Sequence, residues 1–378
     1  MKILIDLTSL ADNFSGIERF AACISYKMIL QSQDEFILIF KDQVHQKFRI
    51  FTKYDNVKIV VLKRCNKLLF NQWKLYRAIK KEKADMYLFL AFPAPFLFSN
   101  RNAISAIHDL GCWDCPSKNK KYMTLYFKIM YWKAAFGNKK VITVSEFSKK
   151  RISEILGKNL KQIKVIYNGI SDSFENFHYQ SEKNRKAVDQ YHLPEDYILC
   201  LSTLEPRKNL RLLIKAFDEL VREKKITQDL VLAGRKGWMV ENLLCDISES
   251  TLKRIHFTGF IDEELLPYVY NNASMFVFPS IYEGFGVPPI EAMYMKVPVI
   301  SSDAASLPEI LGDSAIMFQN NNKEDLKKCI LSLLQYNETK IEEMRKNGFD
   351  CAKKYNWKNE SEKLYSYLKQ IFLGGKDE

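Results

Sequence analysis

Residues 275–291 read MFVFPSIYEGFGVPPIE. The run MFVF has the length and composition of a buried strand. PSIY is a short polar step. Gly284 and Gly286 loosen the loop that follows, and Pro288 or Pro289 suits the first turn of a helix, where a missing N–H costs nothing. Strand, loop and helix in this order form the repeating unit of a parallel α/β sheet. Glu283 and Glu291 bracket the loop with seven residues between them. This reading puts Glu291 in the first turn of the helix and turns both carboxylates toward one cleft. A carboxylate accepts from two adjacent hydroxyls, so one glutamate could hold a ribose diol and the other a sugar diol.

The same unit recurs outward in both directions. Strand patterns lie at 2–7, 36–40, 57–62, 86–90, 103–108, 140–144 and 164–167, with helical patterns such as 16–31 and 68–83 between them. Residues 171–195 are polar, lack a clear period and end near a proline, which reads as a connection between domains. A second series follows at 197–202, 229–234, 254–259, 275–280, 297–302 and 315–318. The expected fold class is α/β, with two doubly wound domains at 1–170 and 196–356, a linker at 171–195, and a ligand cleft between strand C-terminal edges. The dinucleotide fingerprint GxGxxG is absent after the first strand, so NAD and FAD have little support.

With 378 residues the chain suits two domains, and 47% apolar with 27% charged residues is a globular composition. Eight cysteines are scattered, and only Cys112 and Cys115 form a close pair, so reduced thiols are favoured over zinc or a redox motif. The first residues, MKILIDLTSL, read as a strand rather than a signal peptide, and no stretch has the length of a membrane span. A net charge of +12 points to an anionic partner: nucleic acid, a phosphorylated ligand or an acidic membrane. No nucleic-acid-binding motif accompanies it.

Several other junctions carry chemistry. In LADNFSGIERF, Ser15 and Gly16 precede a helix, either as cap and turn or as a close approach to an anion. His108, in AIHDLG, ends a strand and is either a satisfied, half-buried histidine or a donor to phosphate or sugar hydroxyl. In STLEPRKNL, Arg207 and Lys208 stand where a turn enters a helix, and cations are disfavoured there unless an anion is present. They therefore read as a diphosphate clamp. Gly234, Gly259 and Phe260 are either ordinary strand ends or the lining of a base slot. There is no DxD triplet to hold a metal-bound diphosphate.

Taken in order, these motifs resemble retaining glycosyltransferases of family 4, which have the GT-B fold of two Rossmann-like domains facing each other across a cleft. EGFGVPPIE resembles the E-x7-E signature; SGIER, IHDL, VSEFSKKRI, VIYNGI and STLEPRKN resemble the other landmarks, across nearly the whole chain. The resemblance implies that Glu283 holds donor-sugar hydroxyls and Glu291 the ribose, and that Arg207 and Lys208 neutralise the diphosphate. It also implies that Gly16 approaches the diphosphate, that His108 lies near the reacting centre, and that Phe285, Gly286 and Val287 give backbone contacts. Two departures stand out: a single Gly16 after Ser15, and Thr203 where many members carry arginine. The implied reaction is metal-independent hexosyl transfer with retention and no cofactor. The donor is a nucleotide-diphosphate sugar, with GDP-mannose favoured over UDP- or dTDP-sugars. The acceptor that the resemblance implies is a lipid-linked glycan in capsule or O-antigen assembly. A GT-B epimerase or phosphorylase is the alternative enzyme, and a basic nucleic-acid-binding protein the alternative class. The helix at 357–378 resembles one that packs back on the first domain, which implies hinged closure. Residues 64–83 and 117–140 are basic and aromatic, which suits either an anionic membrane surface or ordinary packed helices with solvated lysines. A cytoplasmic protein peripheral to the inner membrane face is expected.

Overall fold

A computed structural model describes residues 1–11, 16–66, 70–116, 121–137, 140–235 and 243–374. Ser15, Lys118 and Lys120 lie outside the described residues. The chain divides into two units, Met1–Gly169 with Asn356–Glu378, and Ile170–Tyr355.

In the first unit, β1 (Lys2–Asp6), β2 (Glu35–Lys41), β3 (Val57–Leu62), β4 (Met86–Phe89), β5 (Ala103–Ala106), β6 (Lys140–Thr143) and β7 (Ile163–Val165) form one sheet in the order β3-β2-β1-β4-β5-β6-β7. Every pairing is parallel. Ile3, Leu4 and Ile5 are fully buried, which is why the central strand reads as an unbroken apolar run rather than an alternation. In the second unit, β8 (Tyr197–Leu201), β9 (Asp229–Ala233), β10 (Ile255–Gly259), β11 (Met275–Phe278), β12 (Val299–Ser302) and β13 (Ile316–Phe318) pair in parallel in the order β10-β9-β8-β11-β12-β13. Each run expected as a strand is one, with ends shifted by at most two residues. Both sheets reverse beside their first strand, at β1/β4 and β8/β11. The loops leaving those strands diverge to opposite sides and open a crevice at the carboxyl edge.

Helices cover the sheets by their apolar stripes. Leu210–Arg222 buries Leu210, Leu213, Ile214, Phe217 and Leu220, the spacing of one helical face. The C-terminal helix Trp357–Gly374 lies with the first unit and packs on Gly16–Leu30. Trp357 is buried and meets Phe20 edge-on at 6.0 Å, while Tyr365 donates to Asp34 Oδ2 at 2.7 Å. Gly169 lies flat against this tryptophan: a Cβ there would stand 2.5 Å from the Trp357 backbone nitrogen and 2.8 Å from its ring. Gly169→Ala is therefore expected to lower stability by about 1–3 kcal/mol, measured by urea unfolding.

Residues 171–195 do not form an irregular linker. They contain the helices Asp172–Glu175 and Ser181–Tyr191, both within the second unit. Phe174 packs on Tyr270 at 5.6 Å, and the Tyr191 hydroxyl accepts from the Asp262 N–H at 3.0 Å. Only Ala187 and Tyr191 of the longer helix are buried, too narrow a stripe to mark a period in the sequence. Tertiary contacts, not propensity, hold it.

Candidate active site

The crevice at β8/β11 is built from two loops. After β8 the chain makes a single tight turn, Pro206–Lys208, and Asn209 at φ 53° passes it into the helix Leu210–Arg222. Asparagine tolerates this left-handed conformation better than most residues. After β11, the Ile281 N–H donates to the Arg207 carbonyl at 3.0 Å, and the Ser280 hydroxyl reaches the same carbonyl at 3.2 Å. These bonds lock the two loops together and bring Glu283 onto the turn.

Glu283 is 8% exposed and ionically engaged on both oxygens. Lys208 Nζ lies 2.5 Å from Oε1 and Arg207 Nη1 3.1 Å from Oε2, while the Ser280 hydroxyl donates to Oε1 at 2.6 Å. Arg207 also pairs with Glu205 at 3.0 Å and donates to the Tyr282 carbonyl at 2.7 Å. Burial alone would raise the Glu283 carboxyl, but Lys208 and Arg207 outweigh it and hold its pKa at about 2. The anion that cations at this helix start require is thus already supplied from within the chain. Lys208 has three N–H donors and also lies 5.4 Å from the Phe278 ring, so its position is fixed by packing as well as charge.

Behind this cluster, the Ser306 hydroxyl reaches the carbonyls of Glu283 at 2.9 Å and Phe285 at 3.1 Å. Phe285 is buried against Tyr355, ring centroids 5.2 Å apart, so its ring belongs to the packing of the second unit. Gly286 has φ 99°, and a Cβ there would stand 2.6 Å from Leu307, so the turn needs glycine twice over. The helix begins at Val287, ahead of both prolines, and runs to Tyr294. Glu291 is consequently past the first turn, not in it as the prolines suggested. It is 2% exposed, and Tyr270 Oη donates to its Oε2 at 3.0 Å. The two glutamates therefore engage different partners, one a pair of cations and the other a tyrosine.

At β9 and β10, Gly234 has φ 132° and touches the β8 exit so closely that a Cβ would lie 2.0 Å from the Ser202 carbonyl oxygen. Its N–H donates to the Gly259 carbonyl at 2.8 Å. A backbone crossing is a sufficient cause for this glycine. Phe260 is exposed, with the Arg235 guanidinium 4.6 Å from its ring.

The remaining expected residues belong to the first unit. Gly16 opens the helix Gly16–Leu30, is exposed, and a Cβ there would meet nothing within 4 Å among the described residues. His108 is buried, edge-on to Phe20 at 5.0 Å, with Nε2 2.8 Å from the Leu90 carbonyl. A carbonyl only accepts, so Nε2 carries the proton. Burial lowers the pKa of His108 and keeps the ring neutral, leaving Nδ1 as an acceptor. The expected donation to a phosphate is therefore replaced by the capacity to accept from a hydroxyl. At the β1/β4 crevice a pocket of about 480 Å³ is lined by Asp6, Thr8, Glu18, Lys41, Phe92 and Phe127, among others.

Residues 36–174 match the family described as Glycosyltransferase Family 4, and residues 181–350 match Glycosyl transferases group 1. Over 259 residues the chain is 31% identical to O-antigen chain mannosyltransferase B of Escherichia coli, spanning 68% of this chain and 67% of that one. The chain belongs to glycosyltransferase family 4. Its fold is similar to sucrose-phosphate synthase from Thermosynechococcus elongatus, with a TM-score of 0.76, 18% identity and 99% of both chains covered. It is also similar to Anabaena Alr3699/HepE in complex with UDP and glucose, with a TM-score of 0.72, 14% identity, and 98% and 100% of the two chains covered. At these identities the likeness shows the GT-B fold class.

In this family 4 glycosyltransferase, several residues around the cluster carried no local signal. Ser306 comes 23 residues after Glu283 and Tyr270 comes 21 before Glu291, so only folding pairs them. Ser280 stands three residues before Glu283 and was open to notice, since a serine at that spacing can reach back across a tight loop. None of the eight cysteines, all among the described residues, is in a disulfide. Burial pushes the Cys112 thiol up to about 12, which removes the thiolate that disulfide exchange needs.

Proposed function

We propose that the protein transfers a hexosyl group, with mannose favoured, from a nucleotide-diphosphate sugar to a lipid-linked glycan during surface polysaccharide assembly. The Arg207–Lys208–Glu283 cluster at the second unit's switch point carries the reading. Mannose and O-antigen are favoured by the likeness to the Escherichia coli mannosyltransferase.

In this reading the bond from the anomeric carbon to the diphosphate oxygen breaks as the acceptor oxygen bonds to that carbon on the same face. The acceptor hydroxyl's proton passes to the departing diphosphate. Arg207 and Lys208 stabilise the charge that grows on the leaving group, the kind of preorganised interaction worth about 10²–10³ in rate per donor. Their charge serves the role of a metal, so the reaction proceeds without one. Glu283 primarily holds both cations in place and meets sugar hydroxyls alongside them. Glu291 takes the ribose, its carboxylate oriented by Tyr270. The first unit's pocket takes the acceptor, and His108, outside that pocket's lining, is left to accept from a hydroxyl. The protein works at the cytoplasmic face of the membrane. Among the described residues no helix is long and apolar enough to cross it.

A panel of GDP-, UDP- and dTDP-sugars tests the reading through nucleotide release with and without a lipid-linked acceptor, and NMR of the product gives its anomeric configuration. GDP release from GDP-mannose, stimulated by acceptor and giving the donor's own configuration, is expected. An inverted linkage, or release from none of the donors, overturns it.

A further inference from the structure

The helix Lys121–Gly137 buries Met130, Tyr131, Ala134 and Ala135 against the first unit. On its other side Tyr122, Leu125, Ile129, Trp132 and Phe136 are each between 46% and 75% exposed. Their spacing alternates three and four residues, which confines them to a band about 80° wide on a helix turning about 100° per residue. An exposed apolar band of this length is not an ordinary feature of a soluble surface.

Charge decides what covers it. The helix carries Lys121, Lys128 and Lys133 and no acid. Gln72 connects it to the neighbouring segments Phe70–Leu75 and Tyr76–Lys81, donating to Tyr126 Oη at 3.3 Å. Those segments add Lys74, Arg77, Lys80 and Lys81, again with no acid. Lys133 is turned inward to the Phe98 carbonyl, but Lys121 is exposed. A two-fold contact with a second copy would set these cations against themselves. An anionic bilayer surface complements both the apolar band and its basic surroundings.

We propose that this band seats the first unit on an anionic bilayer, with the aromatic and aliphatic side chains in the interfacial region and the cations at the headgroups. The same helix contributes Met123, Tyr126, Phe127 and Met130 to the lining of the 480 Å³ pocket. A helix lying in the interface thereby forms one wall of the pocket, and the head of a lipid-linked acceptor can enter without leaving the membrane surface. That consequence rests on the acceptor reading above; bilayer binding itself does not.

The test uses the full chain without donor or acceptor, so its failure leaves the transfer reading intact. Sedimentation with phosphatidylcholine vesicles containing phosphatidylglycerol is compared with pure phosphatidylcholine. Wild type is expected to bind only the acidic vesicles, with a blue shift in fluorescence that Trp132→Phe reduces. Leu125→Ser/Ile129→Ser/Trp132→Ser is expected to lower vesicle binding about tenfold or more, with an unchanged circular dichroism spectrum. Equal binding by wild type and the triple variant overturns the proposal. So does a dimer that the triple variant dissociates in a protein that ignores vesicles, which would make the band a contact between copies.

Discussion

Glu283→Ala is expected to lower kcat/KM by about a hundredfold or more and to cost about 3–5 kcal/mol of stability. The carboxylate is buried between Arg207 and Lys208, so its loss takes the counter-charge from the largely buried Lys208 and one of two carboxylate partners from Arg207, which keeps Glu205. The turn Pro206–Lys208 loosens, and the two groups proposed to meet the leaving diphosphate lose their geometry. Glu283→Gln keeps the shape and the Ser280 contact but not the charge, and falls between wild type and alanine. Glu291→Ala differs in kind. It removes a partner of Tyr270 and is expected to raise the donor KM about tenfold while kcat changes little, as loss of uniform binding does. Kinetics with the responsive donor and urea unfolding measure both effects. A fully active Glu283→Ala would remove this cluster from the reaction.

Acid should dismantle the same cluster. The folded-state pKa of Glu283 is about 2 against an ordinary value of 4.5. A carboxylate depressed in this way contributes stability that is fully present above about 4.5 and is lost as pH falls through about 2. The difference corresponds to about 3 kcal/mol. The stability gap between wild type and Glu283→Gln is therefore expected to close by about that amount across this window. Lys208→Met removes the nearer cation. It should lower kcat by about 10²–10³ and move the onset of acid unfolding to higher pH, because burial then acts on Glu283 with only Arg207 and the Ser280 hydroxyl to oppose it. Urea unfolding from pH 7 to pH 2 reads both changes. An acid limb identical in wild type and Lys208→Met would show that the pair does not stabilise the fold.

The strands and the paired cations were legible for local reasons. A strand buried on both faces is a continuous apolar run, as at Ile3–Leu4–Ile5, and no distant residue is needed to see it. Arg207 and Lys208 stood out because cations at a helix start are anomalous without an anion. The identity of that anion was not legible. Glu283 lies 75 residues beyond Lys208, and its partnership depends on β8 and β11 being neighbours in the sheet. His108 likewise appeared able to donate to a ligand until the Leu90 carbonyl, 18 residues earlier, accepted its N–H. The helix Ser181–Tyr191 was hidden because two buried side chains leave too faint a stripe.

MFVFPSIYEGFGVPPIE thus contained its own strand, its glycine turn and its helix, because backbone preference and apolar burial act over a few residues. It did not contain the state of its two acids. Glu283 became a low-pKa anchor for two cations and Glu291 a buried partner of Tyr270 because strand order brought those groups to them. Apolar side chains need only a common interior, whereas a buried charge needs particular atoms at hydrogen-bonding distance, and only the folded chain supplies them.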